Sequence, residues 1–532
     1  MRIKTQPTLI ASAMLALWGG GPAFAGEPIE FGNGFKLDWR ANASYTVATR
    51  LESQDPVLKG AAGSNDGDNN FDRHALTANR AAVLIDATLS RGESGLVLSG
   101  STFYDDAYHR TNDNRGPVNK PGPVNVFTDE ARRYHGGYSR LLDAYGYTSF
   151  SLGGTSRATV RVGRHAVSWG EALFFPGISL AQGPADGTKT NIPGTETKDQ
   201  LLPEDQVSAI IEVSPSWSLL AHAQFNFHET LAPAPGSYLS TSDGVGEGGT
   251  CLNPYINDRC SFGLRGPDIL PGKTGQWGVG SRYRVTDETE VGLYYLNYHD
   301  RSPIPEINAF NSSYRIRYFD DIKLAGATLS TTFGKTTLAG ELSYKRGAPV
   351  LVDTVVNPAT RASIPTPTRA DVAQLNINAF ANLGRNPLAD STILLGEISA
   401  VRVSRVEARK APGVEALGAS AAFFPASDTL SFTRSGVAAT VQMVLGYPGV
   451  FEGWDLSVPI SYSHQLRGRT LVGGVGGQGD RRTSIGMTWT YRSNLQIGLT
   501  YLGFFGEPNL TLPHNRLLTD RDQLSMVVKY AF

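Results

Sequence analysis

The sequence predicts an all-β protein, a transmembrane antiparallel β-barrel of about 18 strands whose long outer loops fold partly into the lumen. Three observations lead to this fold class. The chain ends in a strand with strict alternation, similar strands recur along its whole length, and short connections alternate with long ones. Residues 1–25 are predicted to be a signal peptide and residues 26–532 the barrel.

The closing strand is the clearest element. Every second residue back from the end is apolar: Phe532, Tyr530, Val528, Met526 and Leu524. The residues between them are small or polar, and a period of two places the two sets on opposite faces. A terminal aromatic strand is similar to the last strand of outer-membrane barrels, where Phe532 and Tyr530 would form the signal read by the assembly machinery. Taken alone, the stretch also fits an edge strand of a soluble sandwich.

The earlier strands show the same alternation, with aromatic residues at the ends of the apolar rows, where a lipid-facing strand places its interfacial girdle. The predicted strands are 36–48, 80–90, 95–105, 141–152, 157–168, 206–213, 217–228, 275–285, 289–299, 319–333, 336–346, 370–383, 391–404, 435–447, 454–466, 481–491, 495–505 and 521–532.

The connections support the barrel over the sandwich. Those that follow even-numbered strands are mostly short, whereas those that follow odd-numbered strands are long and rich in Gly, Pro, Asn and Asp. Short periplasmic turns and long outer loops produce this parity. The predicted strand 391–404 is the weak point because it contains Glu397 and Arg402, and its loss together with strand 370–383 would leave about 16 strands.

Composition and charge fit an exported membrane barrel. Charged residues make up 18% of the chain, and Arg2, Lys4 and the Ala23–Ala25 site frame an apolar stretch as in a signal peptide. Loss of that segment makes the formal net charge more negative than −1, so no basic field for nucleic acid remains. After the N-terminus no run reaches the ~18 apolar residues of a membrane helix.

The two cysteines, Cys251 and Cys260, lie in the long connection after the seventh strand. In an exported protein they are expected to form a disulfide in an outer loop. No further metal-binding side chains accompany them, and the sequence predicts neither a metal site nor a cofactor.

Residues 64–72 read SNDGDNNFD, with an oxygen-bearing side chain at every second position from Asp66 to Asp72. A calcium loop has this spacing, but Phe71 stands where an EF-hand requires Gly and Thr77 where it requires Glu. A solvated or lumen-packed loop is the alternative, and the sequence favours it.

No arrangement of residues predicts an enzyme. The histidines are scattered, with His165 near Glu171 and His222 near His228, and no serine elbow, H-E-x-x-H motif or phosphate loop occurs. His222 alternates with apolar neighbours and is expected to be an ordinary polar residue of the lumenal wall.

Several stretches resemble the proteobacterial outer-membrane proteins grouped as domain of unknown function 1302 (DUF1302). The matching stretches are 64–72, 103–108, 141–145, 161–171 and 193–198 followed by Leu202 and Pro203. The resemblance implies a Gram-negative outer-membrane channel in contact with lipid and lipopolysaccharide, and the family has no established catalytic residues to carry over. It also implies traffic in lipids, steroids or aromatic compounds alongside an efflux-type inner-membrane transporter. Residues 172–184, with Phe174, Phe175 and Ile178, depart from the Asn- and Pro-rich run usual in that family.

The connection from Trp169 to Asp205 is too long for a hairpin loop, and loops of this length are usually functional. Its first part is apolar, and exposure of this part to water on an outer loop would be unfavourable. We therefore expect it to fold into the lumen as a constriction, with Arg164 near the rim. The predicted constriction residues are Arg161, His165, Trp169, Glu171, Phe174 and Phe175, with Glu171 also expected near the rim.

Two functions remain open at this point. The first is a channel for passive passage of small hydrophobic molecules, with selectivity set by the residues that line the narrowing. The second is a surface binding or adhesive protein for which the barrel is only an anchor.

Overall fold

The chain forms a closed barrel of eighteen antiparallel strands. The computed structural model describes residues 26–532, so the predicted signal peptide lies outside the described residues. Each strand pairs with the next, and the last pairs with the first, with Tyr530 opposite Ala43 and Gln523 opposite Arg50. The strands are β1 (Lys36–Arg50), β2 (Leu76–Arg91), β3 (Ser94–Asp105), β4 (Gly137–Gly153), β5 (Ser156–His165), β6 (Glu204–Ser214), β7 (Trp217–Gln224), β8 (Trp277–Arg284), β9 (Thr289–Tyr298), β10 (Ile322–Phe333), β11 (Thr336–Asn357), β12 (Ala362–Asn382), β13 (Ser391–Ser404), β14 (Ser435–Phe451), β15 (Trp454–Arg467), β16 (Arg481–Tyr491), β17 (Leu495–Phe505) and β18 (Gln523–Ala531).

The alternation of each strand separates a lipid-facing from a lumenal surface. In β18, Met526 is 50% exposed on the outside, whereas Ser525 is 2% exposed on the inside. In β13, Ile398 points outward and Glu397 is buried on the lumenal side. The predicted faces are therefore confirmed, because a strand between two paired neighbours has only these two directions for its side chains.

Eighteen strands place both ends of the barrel wall on the side of the short turns, and the alternative of 16 is wrong. Strand β13 belongs to the wall, since it pairs with both β12 and β14. Its two charged residues fit there because Glu397 faces the lumen and Arg402 lies at the outer end of the strand with its side chain exposed. Within residues 26–532, no helix is long and apolar enough to span a bilayer.

Strands β11 and β12 extend further than the sequence pattern indicates. The segment 347–369 was expected to be a loop, but it continues as a paired hairpin beyond the height of the neighbouring strands. Pro365 and Pro367 lie in this extension, opposite Asp353 and Leu351. Because the two prolines are two residues apart, their backbone nitrogens point to the same side of β12. The pairing with β11 is intact, so that side is the other edge of β12, where a missing N–H leaves no ladder hydrogen bond unmade.

The long connections pack together as an outer layer. An aromatic cluster of Phe71, Tyr108, Phe127 and Tyr238 joins three of them. The helices are Gly32–Gly34, Pro56–Lys59, Asp66–Asn69, Asp106–Tyr108, Asp129–Ala131, Arg132–Gly136, Ser179–Ala181, Gly187–Lys189, Thr197–Gln200 and Val414–Phe423, and the short strands outside the barrel wall are Ile29–Glu30, Tyr255–Ile256, Arg259–Cys260, Leu264–Arg265, Ile304–Asn308 and Ser313–Arg317.

The predicted disulfide is confirmed. Cys251 and Cys260 are bonded, with their Cα atoms 5.7 Å apart, in the outer connection between β7 and β8. Cys260 belongs to a small hairpin whose turn residues, Asn257 and Asp258, adopt positive φ. The bond shapes this loop and does not join strands of the wall.

Candidate functional site

The connection between β5 and β6, residues 166–203, is the main structure inside the barrel, and we call it the crossing loop. It leaves the wall at His165, reaches β11–β13 on another part of the wall, and returns to Glu204 at the start of β6. Along the way it docks on two different arcs of the lumenal surface. Each half of the loop uses a different kind of contact.

Two buried glutamates hold the first half. One carboxylate oxygen of Glu397 accepts hydrogen bonds from the backbone N–H groups of Leu173 at 3.1 Å, of Phe174, and of Phe175 at 3.2 Å. Glu341 accepts from the N–H of Glu171 at 2.9 Å and of Ile178 at 2.8 Å. Charge-assisted bonds of this type are stronger than neutral ones, so the two carboxylates fix a segment that has no regular structure of its own.

Three amide side chains of β12 complete this attachment. Gln374 and Asn376 donate to the carbonyl of Phe175 at 3.0 and 2.8 Å, and Asn378 donates to the carbonyl of Glu171 at 2.6 Å. All three side chains are buried. The wall thus satisfies both donors and acceptors of the loop backbone, as a buried irregular segment requires.

Apolar packing accompanies these hydrogen bonds. Trp169, Ile178 and Ala181 belong to the same cluster as residues of the wall strands, and Ile178 is fully buried. The wall residues of this cluster are Leu220, Tyr294, Leu296, Tyr298, Ile322, Leu324, Ala348, Val350, Ala370, Val372, Val401 and Val403. Much of the apolar surface of the loop is therefore covered by the wall, while Leu173 and Phe174 stay half-buried.

The second half of the crossing loop docks through charges on β2, β4 and β18 and through hydrogen bonds to Thr46 of β1 and Ser101 of β3. Lys198 lies 2.5 Å from Asp86 and 2.7 Å from Asp143. Asp186 pairs with Arg140 at 2.7 Å. A further pair joins the loop to the closing strand, with Glu196 2.9 Å from Lys529.

The predicted constriction residues lie in or beside the lumen. His165 hydrogen-bonds with Ser208 at 2.7 Å, and the Arg161 guanidinium lies 5.9 Å from the ring centre of Tyr145. Arg164 points away from the lumen and pairs with Asp205 at 2.8 Å at the outer end of the wall, as expected for a rim position. The placement of Glu171 near the rim is wrong.

Glu171 lies near the middle of the barrel because its backbone is held by Glu341 and Asn378, both well inside their strands. Trp169 contacts the ring of His222, with the two ring centres 5.0 Å apart. Sequence reasoning placed His222 on the lumenal wall but missed this contact. It also missed the anchoring residues Glu341, Gln374, Asn376, Asn378 and Glu397, whose only signal was a polar side chain in the lumenal register of a strand.

One part of the wall carries none of these contacts. Within residues 26–532, no lumenal side chain of β15 or β16 forms a hydrogen bond or an ion pair with the crossing loop. Ser457, Ser461, Ser484 and Thr488 face the lumen there and remain partly exposed, in contrast to the buried anchors on β11–β13. We call this region of β15 and β16 the open arc, because its lumenal side chains are partly exposed and make no such contact with the crossing loop.

The motif at residues 64–72 lies in the outer layer and not in solvent. Asp68 forms buried ion pairs with Arg50 at 2.8 Å and Arg521 at 3.0 Å, which connects the two ends of the barrel wall. The Asp66 carboxylate accepts from the N–H of Asn119 at 3.0 Å. Burial raises the pKa of Asp66 to about 6.

Asp243 lies against the same motif and accepts from the backbone N–H groups of Asn65 at 2.9 Å and Asp66 at 3.2 Å. Burial and the neighbouring charge of Asp66 raise the pKa of the Asp243 carboxyl. The motif therefore links loops through hydrogen bonds and ion pairs.

One group of side chains in the described part of the chain has atoms close enough to share a cation: Glu204, Asp205 and His228. Arginines already neutralise both carboxylates, with Arg164 2.8 Å from Asp205 and Arg301 3.5 Å from Glu204. These three side chains therefore belong to an ion-pair network at the outer end of β6.

Comparison with known proteins assigns the family. The family model described as "Protein of unknown function (DUF1302)" matches residues 6–532. The chain belongs to this family. No match was found among curated proteins.

Similar solved structures are outer-membrane proteins with low sequence identity. Acinetobacter baumannii OccAB2 has a TM-score of 0.43 at 10% identity, covering 93% of this chain and 98% of that chain. Pseudomonas aeruginosa OpdK with vanillate has a TM-score of 0.38 at 12% identity, with coverage of 93% and 98%. Salmonella typhi OmpF in complex with daunomycin has a TM-score of 0.38 at 11% identity, with coverage of 95% and 100%.

Proposed function

We propose that this DUF1302 protein is an outer-membrane channel that passes small hydrophobic or aromatic solutes passively through a lumen narrowed by the crossing loop. The observation that carries the proposal is the asymmetric docking of this loop. It is fixed to β11–β13 on one side and to β1–β4 and β18 on the other, which leaves the open arc beside it. A barrel of this size holds an aqueous lumen, and the loop reduces it to a narrower path.

The chemistry of the two sides of this path supports an amphipathic route. The open arc offers serine and threonine hydroxyls, and the free edge of the loop offers Leu173 and Phe174, which are half-buried beside β13. Aromatic side chains next to weakly polar hydroxyls suit a solute that is largely apolar with few polar groups. Arg161 adds a donor on β5, whereas His165 is buried and hydrogen-bonded to Ser208, and Trp169 lies against His222.

The test uses N-phenyl-1-naphthylamine, a neutral aromatic dye that fluoresces in lipid and that an intact lipopolysaccharide leaflet excludes. Intact Gram-negative host cells that produce the protein are expected to take up the dye several-fold faster than cells with an empty vector. Liposomes that contain the purified protein are expected to swell in arabinose, because the lumen is open to water. Dye entry and swelling equal to those of the protein-free controls would contradict the channel and favour a binding or adhesive role.

The adhesive alternative has one observation in its favour. The β11–β12 hairpin rises beyond the neighbouring strands, and a disulfide and an aromatic cluster order the outer layer around it. Removal of residues 351–364 from the tip of the hairpin separates the two functions. A channel retains dye uptake without this tip, whereas a surface-binding protein loses attachment to its target and shows no dye uptake in either form.

A further inference from the structure

The hydrogen-bond ladder between β15 and β16 is interrupted in the middle of the wall. Pairing runs up to Ser457 opposite Thr488 and resumes at Ile460 opposite Ile485 in the same register. No register partners occur at residues 458 and 459 or at the facing residues 486 and 487, because one ladder hydrogen bond is missing there. Pro459 explains the interruption, since proline has no N–H to donate to the facing carbonyl of Gly486.

The position of this break is unusual. Pro459 is well inside β15, and Gly486 is at the centre of β16, so the break lies at the depth of the hydrocarbon core. Backbone groups at that depth are normally all paired. Other irregularities occur in the described wall, as register shifts between β1 and β2 at Ala48 and between β14 and β15 at Val437. Between β3 and β4 the irregularity is a bulge, where Ser99 accepts a hydrogen bond from the N–H of Asp143 at 2.9 Å.

Small and apolar side chains cover the break, and Gly486 itself is buried. Gly486 has no side chain, and a Cβ atom built there would lie 3.2 Å from the ring of Pro459, so the proline ring occupies that space. On the outside, Ile485 and Met487 are exposed to lipid. On the inside, the break belongs to the open arc, and the crossing loop does not brace it.

We propose that the seam between β15 and β16 at Pro459 and Gly486 is a lateral exit through which apolar solutes leave the lumen for the bilayer. The inference rests on the proposed function, since it gives the route by which such a solute completes its passage. An apolar solute in the lumen gains free energy by moving into lipid, and opening the wall at this seam breaks one ladder hydrogen bond fewer than elsewhere because Pro459 has no N–H. A polar solute has no such gain and continues through the lumen to the periplasmic end.

Two variants test the seam. Pro459→Ala supplies the missing N–H and is expected to complete the ladder. Ile460→Cys with Ile485→Cys places two cysteines directly opposite each other beside the break, where a disulfide would hold the strands together. The matched control is Leu499→Cys with Met526→Cys, which are also opposite each other and lipid-facing, but on the unbroken ladder between β17 and β18.

Dye uptake by intact cells and arabinose-driven swelling of liposomes are measured for each protein. The seam disulfide is expected to slow dye uptake at least fivefold, with recovery after reduction, and Pro459→Ala to slow it in the same direction. Arabinose-driven swelling of the seam variants is expected to stay at the wild-type value. For the control pair, both dye uptake and swelling are expected to stay at wild-type values. A shift in SDS gel mobility on heating confirms that each barrel is folded.

Two results would overturn the inference in different ways. Unchanged dye uptake in both the oxidised seam variant and Pro459→Ala would show that solutes do not leave through the wall, while the channel itself stands. A wild-type protein that swells liposomes in arabinose but adds no dye uptake would instead refute the proposed hydrophobic substrate class, and the lateral exit with it.

Discussion

At the scale of single residues, the direction of a side chain follows from its place in the strand, but its partner does not. Glu397 illustrates this difference. Its position in β13 determines that it faces the lumen once the strand belongs to the wall. That it accepts three hydrogen bonds from the crossing loop depends on where a distant segment docks, and local sequence carries no signal for that contact.

The lipid and lumenal faces can be tested with two arginine substitutions. Met526→Arg places a charge on the lipid side and is expected to destabilise the barrel by roughly 2–4 kcal/mol if it lies near mid-membrane. Ser525, its neighbour on the inner face, is too buried to accept arginine, so Thr500, directly opposite Ser525 and half-buried, is the better lumenal control. Thr500→Arg is expected to cost much less in a urea unfolding experiment, and equal losses would refute the face assignment.

The predicted assembly signal concerns the last residue. Phe532 is half-exposed, and its ring lies 4.8 Å from that of Tyr530. Phe532→Ser is expected to reduce the amount of folded protein in the outer membrane several-fold. Phe505→Ser, which alters an exposed aromatic residue at the outer end of β17, is the control. Wild-type levels for Phe532→Ser would show that the terminal aromatic residue is not required.

The outer layer is expected to loosen as pH rises. Because the folded-state pKa of Asp66 is raised to about 6, its contribution to stability is present below the unfolded-state pKa and is lost as pH rises through about 6. In Asp66→Asn this loss disappears, together with the part of the Asp243 pKa shift that the Asp66 charge causes. Burial lowers the pKa of His135, which has the opposite effect on stability, but this histidine is present in both proteins and cancels in their comparison.

Hydrogen exchange of residues 51–75, corrected for intrinsic rates, measures this effect. Between pH 4.5 and 7.5 the opening equilibrium of the wild type is expected to rise relative to Asp66→Asn by up to about a hundredfold. Identical profiles for the two proteins would contradict the role of Asp66.

At the scale of elements, the sequence predicted every strand of the wall and the parity of the connections. These features have a short period or a simple length rule, so they are visible locally. The β11–β12 extension was not predicted because Pro349, Pro365 and Pro367 usually mark a loop. The extension tolerates Pro365 and Pro367 because, above the rim of the barrel, the edge of β12 that they face has no strand of the described chain to pair with.

The crossing loop was predicted to lie in the lumen, but its attachment was not. Deletion of residues 174–184 removes Phe175 and Ile178, which are buried against the wall, and also the narrowing. We expect the barrel to fold with lower thermal stability and to admit sugars larger than arabinose in the swelling assay. A complete loss of folded protein would show that the segment is a brace that the barrel requires.

At the scale of the whole molecule, the barrel, crossing loop and outer layer of the described chain form one system in which the lumenal side chains of the open arc form no hydrogen bond or ion pair with the crossing loop. The general class of protein followed from the sequence, whereas the open arc and the seam in it required the structure. The open arc depends on where the crossing loop does not dock. Pro459 is visible in the sequence, but the residue that faces it across the seam, Gly486, is given only by the register of β15 and β16. The account therefore depends most on whether the crossing loop narrows a conducting path.

Single-channel conductance of Glu341→Ala/Glu397→Ala in planar bilayers tests this most directly. The double substitution removes the acceptors for five backbone N–H groups of the loop, each of which costs about 1–3 kcal/mol when buried without a partner, so the loop should leave its site. Glu212→Ala, a lumenal glutamate of β6 that does not contact the loop, is the control. The account predicts a several-fold larger conductance for the double variant and a wild-type value for Glu212→Ala. An unchanged conductance in a folded double variant, or no conductance in the wild type, would contradict it.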